Sequence, residues 1–297
     1  MNVNIRQLKI FEATARLGRL TLAAADQSIS QSAASQALKE LQGALGYPLF
    51  NRVGRELVIT QAGRQVLPQI SQILQLVDGL RSPDPAALSG TLRVTASVTI
   101  ACYLLPRLLA EFGRRHPAVE PALAIANTSE VLAQLERGQA HVGLIEGPAL
   151  HQRLQVRPWR EDHLEVFCHP EHPLARRGRL DIAQIAEQRW VLREPGSGTR
   201  AIFDAAVQQL GAQLKLALEL NRQEAIKQSV KAGLGIGCLS QLAIAEEVAA
   251  GELVILQTPM NLRRRLSLVT QPRELSSTLG QAFSDFLGAA EPTPPGA

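Results

Sequence analysis

The chain has 297 residues, of which 45% are hydrophobic and 20% are charged, and its formal net charge at pH 7 is +4. That length suits two or three domains, and the composition is typical of a globular protein and excludes a disordered or fibrous chain. No apolar run reaches the roughly 18 residues of a membrane-spanning helix, so we expect no membrane partner. The net charge is too small to indicate a nucleic-acid partner by itself.

Residues 1–18 show apolar side chains at helical spacing and lack the continuous apolar core of a signal peptide. Cys102, Cys168 and Cys238 are far apart in the sequence, which indicates reduced thiols. Together these features predict a cytoplasmic protein. Residues 1–80 hold eight Lys or Arg against five acids, which accounts for three of the four net positive charges. The basic excess therefore lies in the N-terminal part.

Residues 20–50 read as two short helices joined by a tight turn. Thr21 is predicted to cap the first helix and Ser30 the second, because a hydroxyl accepts the free N–H groups of a first turn. The second helix has an apolar stripe, and its opposite face carries Gln31, Ser32, Ser35, Gln36 and Lys39. A face without acids before Glu40 suits a phosphate-lined groove, and Gln can pair with adenine edges. Taken alone, such a face is more typical of an ordinary solvated helix.

Residues 51–60 read as a hairpin that turns at Gly54, a wing whose Arg52 and Arg55 could reach flanking phosphates or the minor groove. Residues 61–80 then form a long amphipathic helix. Little else nearby could bury its apolar stripe, so we expect a partner helix from a second chain to cover it. The Pro-rich run at residues 81–85, followed by Ser89-Gly90, indicates a hinge.

From Thr91 onward, strands alternate with helices, which predicts an α/β fold with parallel sheets. Residues 135–144 resemble residues 230–237, since in both a helix ends at a glycine and a buried strand follows. This repeat predicts two similar lobes. Two crossings, near residues 162–166 and 264–268, are expected to join them as a hinge, and the final helix is expected to return to the first lobe.

Ligands of such sheets bind outside the carboxyl ends of the strands. In the first lobe these ends supply Ser97, Val98, Thr99, Ile100, Asn127, Thr128 and Glu146. In the second lobe they supply Gly196, Ser197, Gly198 and Thr199. Hydroxyls, glycines and two helix starts predict that a small anion is bound between the lobes. Glu146 would repel an anion unless it holds a donor across the cleft, such as Arg200.

The motifs Ser30-Gln31-Ser32-Ala33-Ala34-Ser35, residues 45–52 and residues 57–63 resemble the N-terminal signature of LysR-type transcriptional regulators, and the similarity continues through the whole chain. The resemblance implies a winged helix-turn-helix at residues 1–60 and a dimerising linker helix and hinge at 61–90. It also implies a two-lobed, periplasmic-binding-protein-like effector domain at 91–297. Lobe I would comprise 91–162 and 268–297, and lobe II 163–267. Ser32, Gln36 and Gln42 depart from the usual Pro, Arg and Glu. The first two lie on the expected recognition surface, so they affect the expected DNA sequence preference but not the DNA binding.

Residues 144–147, 193–200 and 224–228 are similar to a sulfite-responsive branch among regulators of sulfur and carbon assimilation. This similarity implies sulfite or an acidic metabolite as effector, and no other cofactor. The implied partners are double-stranded promoter DNA, RNA polymerase and a second copy of the chain, as a homodimer that can pair into a homotetramer.

The sequence also bears on several other functions. The sequence holds no G-x-S-x-G, H-E-x-x-H or P-loop motif, so we expect no enzyme and no catalytic residue. His163, His169, His172 and Cys168 match no common metal spacing, so no metal site is predicted. No resolving partner lies close to any cysteine, which argues against a redox switch. A nucleoid protein without an effector, or a solute-binding protein, remain the alternatives.

Overall fold

The computed structural model describes residues 3–54, 56–79, 88–147, 149, 151–272 and 276–289. Arg55, the predicted hinge run at 81–85 and the C-terminal tail at 291–297 lie outside the described residues. In the part of the chain that the structure describes, none of the helices has both the length and the apolar character needed to cross a membrane. The architecture is the predicted one, with an N-terminal helix-turn-helix followed by a two-lobed α/β domain.

The N-terminal unit consists of α1 (Ile5–Leu17), α2 (Leu20–Asp26), α3 (Gln31–Leu45), β1 (Phe50–Val53) and β2 (Glu56–Ile59). Strands β1 and β2 pair antiparallel. Gly54 follows β1 with φ +61°, in the left-handed region that glycine adopts without steric cost. The predicted wing hairpin is therefore confirmed.

The two helix starts of the helix-turn-helix differ from each other. Ser30 caps α3 as predicted, and its Oγ accepts a hydrogen bond from the Ala33 N–H at 3.2 Å. The predicted cap at Thr21 is wrong, because Arg19 is the N-cap of α2 and Thr21 is its second residue. The helix starts early because Leu20 enters it and packs against the N-terminal core.

Gln42 shows how one departure from the family pattern is accommodated. Its Oε1 accepts hydrogen bonds from the backbone N–H groups of Leu49, at 2.7 Å, and Phe50, at 3.3 Å. The position needs an acceptor oxygen that holds the chain at the entry to β1. An amide provides that oxygen as a carboxylate would.

The long helix α4 (Gln61–Gly79) packs against its own N-terminal unit. Ile70 and Leu74 are 3% and 9% exposed and belong to the same hydrophobic core as α1 and α3. This corrects the expectation that the whole apolar stripe lacks a partner within the chain. Ile73 and Leu76 remain 43% and 64% exposed on the other side of the helix. Any face left for a second chain is therefore the one that carries Ile73 and Leu76.

The rest of the chain alternates strands and helices. The first lobe begins with β3 (Gly90–Ser97), α5 (Val98–Tyr103), α6 (Leu105–Arg115), β4 (Val119–Ala126), α7 (Thr128–Glu136) and β5 (Val142–Glu146). The chain then continues through β6 (Gln155–Cys168), α8 (Ile182–Ile185), β7 (Arg189–Arg193), α9 (Gly198–Gln209) and β8 (Lys215–Leu220). It ends with α10 (Gln223–Lys231), β9 (Ile236–Ser240), α11 (Gln241–Ala249), β10 (Val254–Leu256), β11 (Arg263–Thr270) and α12 (Thr278–Ala289).

One sheet runs through both lobes in the order β4-β3-β5-β11-β6-β9-β7-β8, and β10 pairs with β6. Strands β3, β4 and β5 are parallel and form lobe I, while β7, β8 and β9 are parallel and form lobe II. The antiparallel pair β6 and β11 connects them, with Arg264 directly opposite Asp162. The two predicted crossings are thus confirmed as neighbouring strands of one sheet.

Each lobe has its own hydrophobic core. In lobe I, Phe112 and Phe283 meet edge to face with ring centroids 5.0 Å apart. Phe283 lies on α12, so the final helix returns to lobe I as predicted. In lobe II, Trp190 and Phe203 lie 4.7 Å apart. Two separate cores joined by two strands allow the lobes to move as units.

Several bounds differ from the sequence predictions. The sequence predicts a strand over residues 164–169, but β6 begins nine residues earlier, at Gln155, because its charged first half is held by pairing with β11 rather than by burial. The sequence also predicts one helix over residues 103–115; this helix is α6, and the separate short helix α5 precedes it. Helices α8 and α11 and strand β10 were not predicted.

The N-terminal unit contacts lobe I through polar groups. Arg93 on β3 forms an ion pair with Glu12 on α1, with Nη2 and Oε1 3.1 Å apart. Gln139 donates a hydrogen bond from Nε2 to the backbone oxygen of Arg16 at 2.8 Å. A cavity of about 220 Å³ lies beside these contacts. Strand β3 therefore touches the N-terminal unit near one end and reaches the interlobe cleft at Ser97.

Candidate functional site

The polar face of α3 is exposed, as expected of a surface that binds a partner. The exposed residues are Gln31, Ser32, Ser35, Gln36 and Lys39. The Ser30 and Ser32 hydroxyls are 3.0 Å apart and share a hydrogen bond. The buried side of α3 carries alanines and leucines that pack against α1 and α2. The helix thus presents a single uninterrupted polar surface.

The wing and α2 flank this surface. Arg52 is exposed on β1, and its Nε donates to the backbone oxygen of Gly54 at 3.3 Å. Thr21 is exposed on α2. Glu56 on β2 pairs with Arg19 at 3.3 Å, and both side chains are well exposed.

In the cleft, the carboxyl ends of β3, β5 and β7 meet, and Glu146 at the end of β5 is the centre of the contacts. Its Oε1 accepts a hydrogen bond from the backbone N–H of Thr99 at 3.0 Å, and its Oε2 accepts one from the Thr199 hydroxyl at 2.8 Å. Thr99 belongs to lobe I and Thr199 to lobe II. The donors that we expected to bind an effector anion therefore hold a carboxylate of the protein itself.

Arg264, which was not among the predicted site residues, supplies the compensating charge. Its Nη1 lies 2.7 Å from Glu146 Oε2 and 2.9 Å from the Thr199 hydroxyl. Its Nε donates to Asp162 Oδ2 at 2.7 Å. All three charged groups are buried. The only signal in the sequence was the run of three arginines at 263–265, in which strand alternation turns the middle side chain inward.

Two further residues that the sequence analysis missed complete the network. Gln223 at the start of α10 donates from Nε2 to the Thr99 hydroxyl at 2.8 Å, which is a direct bond between the lobes. The Ser240 hydroxyl donates to Asp162 Oδ1 at 2.9 Å. Hydrogen bonds of this network therefore join both lobes to the crossing strands.

The Glu146 carboxyl is ionised in this environment. Burial alone would raise its pKa, but the charge of Arg264 and the hydrogen bonds from Thr99 and Thr199 outweigh burial and lower the pKa from 4.5 to about 2. The Arg264 guanidinium is likewise buried, and the two carboxylates beside it raise its pKa against the effect of burial. Glu146 and Arg264 therefore carry opposite, fixed charges at neutral pH.

The other predicted lobe I residues have different roles. Ile100 packs into the lobe I core. Val98, two residues earlier in the chain, is also buried. Asn127 caps α7 through its Oδ1, and its Nδ2 lies 3.5 Å from Glu194 Oε1 of lobe II. The Thr128 hydroxyl donates to the backbone oxygen of Glu146 at 3.2 Å. These residues shape the rim of the cleft.

The glycines of lobe II allow the lobes to touch through backbone. A Cβ at Gly198 would lie 2.0 Å from the backbone oxygen of Glu146, so no larger residue fits here in the closed arrangement. Gly196 has φ +87°, and its backbone oxygen accepts from the Ser129 N–H at 3.3 Å. The Gly-Ser-Gly run is thus a close contact between the lobes.

Arg200 does not serve as the donor to Glu146 that the sequence suggested. Its guanidinium pairs with Asp204 at 2.9 Å and with Glu219 at 3.0 Å, and it donates to the backbone oxygen of Arg193 at 2.8 Å. Arg264 takes the expected position beside Glu146. The idea of a cation fixed by Glu146 was correct, but the residue was wrong.

Three buried polar atoms at the cleft have no hydrogen-bond partner among the described residues. They are the Ser97 hydroxyl at the end of β3, the Ser197 hydroxyl before α9, and Nη1 of Arg193 at the end of β7. The three side chains are 2% exposed. The other nitrogens of the Arg193 guanidinium bind Glu194, at 2.8 and 3.0 Å. A buried polar group without a partner is costly, so each of these three atoms is a candidate for a hydrogen bond to a ligand.

Cysteine chemistry is not favoured at this site. Burial raises the pKa of Cys168 to about 11, and burial also raises the pKa values of Cys238 and Cys102. Such thiols stay protonated at neutral pH and react slowly. Within the described ranges, no three His, Cys, Asp or Glu side chains come together as a metal site.

Two family descriptions match the chain. Residues 5–64 match the bacterial regulatory helix-turn-helix protein of the lysR family, and residues 85–291 match the LysR substrate binding domain. The uncharacterized HTH-type transcriptional regulator YeiE of Escherichia coli K12 is 35% identical over 295 residues, which are 98% of each chain.

Two further proteins that resemble the chain are an operon regulator and a regulatory domain with a bound ligand. A RuBisCO operon transcriptional regulator of Allochromatium vinosum is 31% identical over 291 residues, covering 97% of this chain and 96% of that protein. The structure of the Synechocystis CcmR regulatory domain in complex with 2-PG is 30% identical, with a TM-score of 0.62, and covers 68% of this chain and 97% of that one.

The pH dependence of stability tests the charged network. Because the pKa of Glu146 is lower in the folded state, its ionisation stabilises the fold above pH 4.5, and this contribution is lost as the pH falls toward 2. Between pH 5 and pH 3 the wild type should lose about 2 kcal/mol more unfolding free energy than Glu146→Gln. Urea unfolding at several pH values measures this difference. Glu219→Gln, an exposed carboxylate, is the matched control and should follow the wild type; a Glu146→Gln slope equal to that of the wild type would contradict the assignment.

Proposed function

The chain belongs to the LysR family of transcriptional regulators, and we propose that it is a member whose promoter binding responds to a small oxyanion held between the two lobes. Family membership decides against an enzyme, a nucleoid protein and a transport protein. The observation that carries the oxyanion proposal is the group of unpartnered polar atoms on Ser97, Ser197 and Arg193. The Glu146–Arg264 network bonds the two lobes to each other, which supports a ligand position between them.

The chemistry of the three atoms favours an oxyanion. Each hydroxyl can donate one hydrogen bond, and Nη1 of Arg193 donates from a positively charged group. An anion with several oxygens can accept from all of them. Two of the donors come from lobe II and one from lobe I, so a ligand that accepts from both sides favours closure. Sulfite, with three oxygens, is the first ligand to test, and acidic metabolites are the second.

Glu146 changes the binding mode expected from the sequence. Thr99 and Thr199 already donate to its carboxylate, so the effector is expected beside this network and not in place of it. Arg264 keeps the local charge from being strongly negative, since it contacts both Glu146 and Asp162. One relative is a RuBisCO operon regulator and CcmR binds 2-PG, which supports small acidic ligands for this group of regulators.

A route from the cleft to the DNA-binding unit exists along β3. Ser97 lies at the cleft end of the strand, and Arg93 pairs with Glu12 of the N-terminal unit. The two side chains are four residues apart, which in a strand is about 13 Å. A ligand can alter DNA binding only by favouring one arrangement of the lobes over another. We infer that closure is passed on as a shift of β3 against α1.

We propose that bases are read by the exposed α3 residues Gln31, Ser32, Ser35 and Gln36. Lys39, Arg52 and Arg55 would bind phosphates, and Thr21 and Ser30 would place backbone N–H groups beside them. The target is double-stranded promoter DNA, and we propose a cytoplasmic location and contact with RNA polymerase at the promoter.

A homodimer would follow from the exposed apolar side chains of α4, Ile73 and Leu76. Pairing of this face with its copy would bury both residues and give two DNA-binding units related by a two-fold axis. Pairing of dimers would give a homotetramer. We propose a DNA-binding domain at 1–60, a linker helix and hinge at 61–90, and an effector domain at 91–297. The buried face of α4 packs into the core of the DNA-binding domain.

Base reading is tested by comparing Gln36→Ala with Arg52→Ala. Loss of the amide should relax the preference at one base position per half-site, while loss of the guanidinium should weaken all duplexes about equally and reduce the salt dependence. Selection from a randomised duplex pool, followed by sequencing, separates the two effects. An unchanged base preference in Gln36→Ala would remove Gln36 from the set of reading residues.

The effector site is tested by calorimetry with sulfite and, in parallel, with phosphate and 2-phosphoglycolate. Ser97→Ala, Ser197→Ala and Arg193→Met should each weaken the preferred oxyanion roughly tenfold or more, because each removes one hydrogen bond to a charged ligand. Ser229→Ala is the control, since its hydroxyl bonds only to Ala225 within α10. Equal affinities for all four variants would place the pocket elsewhere.

The dimer face is tested by sedimentation of Ile73→Asp combined with Leu76→Asp. Both side chains are exposed within one chain, so the fold should persist while the dimer dissociates, because the interface would bury charge. Ile70→Asp should instead unfold the N-terminal unit, since Ile70 is in its core. A double variant with an unchanged mass and a native circular dichroism spectrum would show that another surface forms the dimer.

A further inference from the structure

Glu40 lies on α3 one helical turn after Gln36 and was not among the residues that we expected to contact DNA. Gln36 donates from Nε2 to Glu40 Oε1 at 2.8 Å, and Gln7 on α1 donates from Nε2 to Glu40 Oε2 at 2.9 Å. The carboxylate therefore accepts hydrogen bonds from two side-chain amides, one on α3 and one on α1. These hydrogen bonds also lower the pKa of Glu40, so it is ionised at neutral pH.

The capping box of α1 determines which way these amides face. Gln7 Oε1 accepts from the Asn4 backbone N–H at 2.9 Å, and the Gln7 N–H donates to the Asn4 side chain at 3.0 Å. Because the Asn4 N–H can only donate, Oε1 of Gln7 must face it. The Nε2 group of Gln7 is then left to face Glu40, and Gln7 is buried in this position.

The same reasoning fixes the amide of Gln36. An ionised carboxylate has no donor, so a Gln36 carbonyl turned toward Glu40 would set two acceptor oxygens against each other. The Nε2 group must face Glu40, and Oε1 must point away from it. In the described part of the chain Oε1 of Gln36 has no hydrogen bond, and the side chain is exposed. Gln36 therefore presents an acceptor together with one remaining N–H.

We propose that Glu40 is a specificity-determining residue that orients Gln36 so that it accepts a base carrying a major-groove amino group and rejects guanine. Adenine offers an N6 amino donor next to its N7 acceptor, and cytosine offers an N4 amino donor. Guanine presents only the acceptors O6 and N7. Because Glu40 already takes one N–H of Gln36, the amide can donate to at most one of these atoms, and Oε1 would face the other. A Gln36 free to turn over could donate both of its N–H groups to guanine, and Glu40 prevents that turn. Glu40 thus acts through Gln36 without touching a base.

This inference rests on the proposed reading of bases by Gln36, and the experiment separates the two. Full-length wild type, Gln36→Ala, Glu40→Gln and Glu56→Gln are compared by selection from a randomised duplex pool, with circular dichroism as the test of folding. Glu40→Gln keeps the shape, but its amide can donate as well as accept, so Gln36 can turn over. At the base position whose preference Gln36→Ala alters, the Glu40→Gln variant should discriminate against guanine about tenfold less than the wild type does.

Glu56→Gln is the matched charge control. It removes one exposed acid from the wing of the same unit without touching Gln36, so it should raise affinity for all duplexes together and leave base preference unchanged. A Glu40→Gln profile that shows only this uniform increase would overturn the proposal. If Gln36→Ala alters no position, base reading by Gln36 fails, and the role of Glu40 fails with it.

Discussion

The guanidinium of Arg264 is the group on which the effector half of the structure depends. It lies on a crossing strand, binds Asp162 on the neighbouring strand, and binds Glu146 at the end of a lobe I strand. Both carboxylates are buried, so removing the cation would leave two uncompensated charges, which is strongly destabilising. The planar fork suits three acceptors at fixed positions, including the Thr199 hydroxyl, and a lysine point charge would not replace it. Lobe closure and sheet crossing are therefore linked through one side chain.

Local patterns account for most of what could be predicted from the sequence. The Ser30 cap, the Gly54 hairpin and the alternation of strands and helices depend on neighbours within a few residues, and these predictions were confirmed. Arg264 was missed because its partner Glu146 is 118 residues away, and a charged side chain on a strand normally points to solvent. The position of a counter-charge across a sheet is set by register, which periodicity does not reveal.

The errors in the N-terminal unit have the same origin. The apolar stripe of α4 correctly indicated an amphipathic helix, but not which surface would cover it, and the chain covers Ile70 and Leu74 itself. Thr21 had the right residue type for a cap, but packing of Leu20 moved the helix start. In both cases local propensity was compatible with two outcomes, and tertiary packing selected one of them. The role of Glu40 was likewise not predicted, because its effect on Gln36 depends on the contact with Gln7 from another helix.

The cleft separates two tasks between two sets of side chains. Glu146, Asp162, Arg264 and the two threonines bind one another, whereas the polar atoms on Ser97, Ser197 and Arg193 have no hydrogen-bond partner among the described residues. In the proposed site, substitutions in the second set would change which molecule is recognised without breaking the bonds that hold the crossing strands. A regulator built on this plan would then acquire new effectors during evolution one residue at a time, while the hinge would change, if at all, by coordinated replacements.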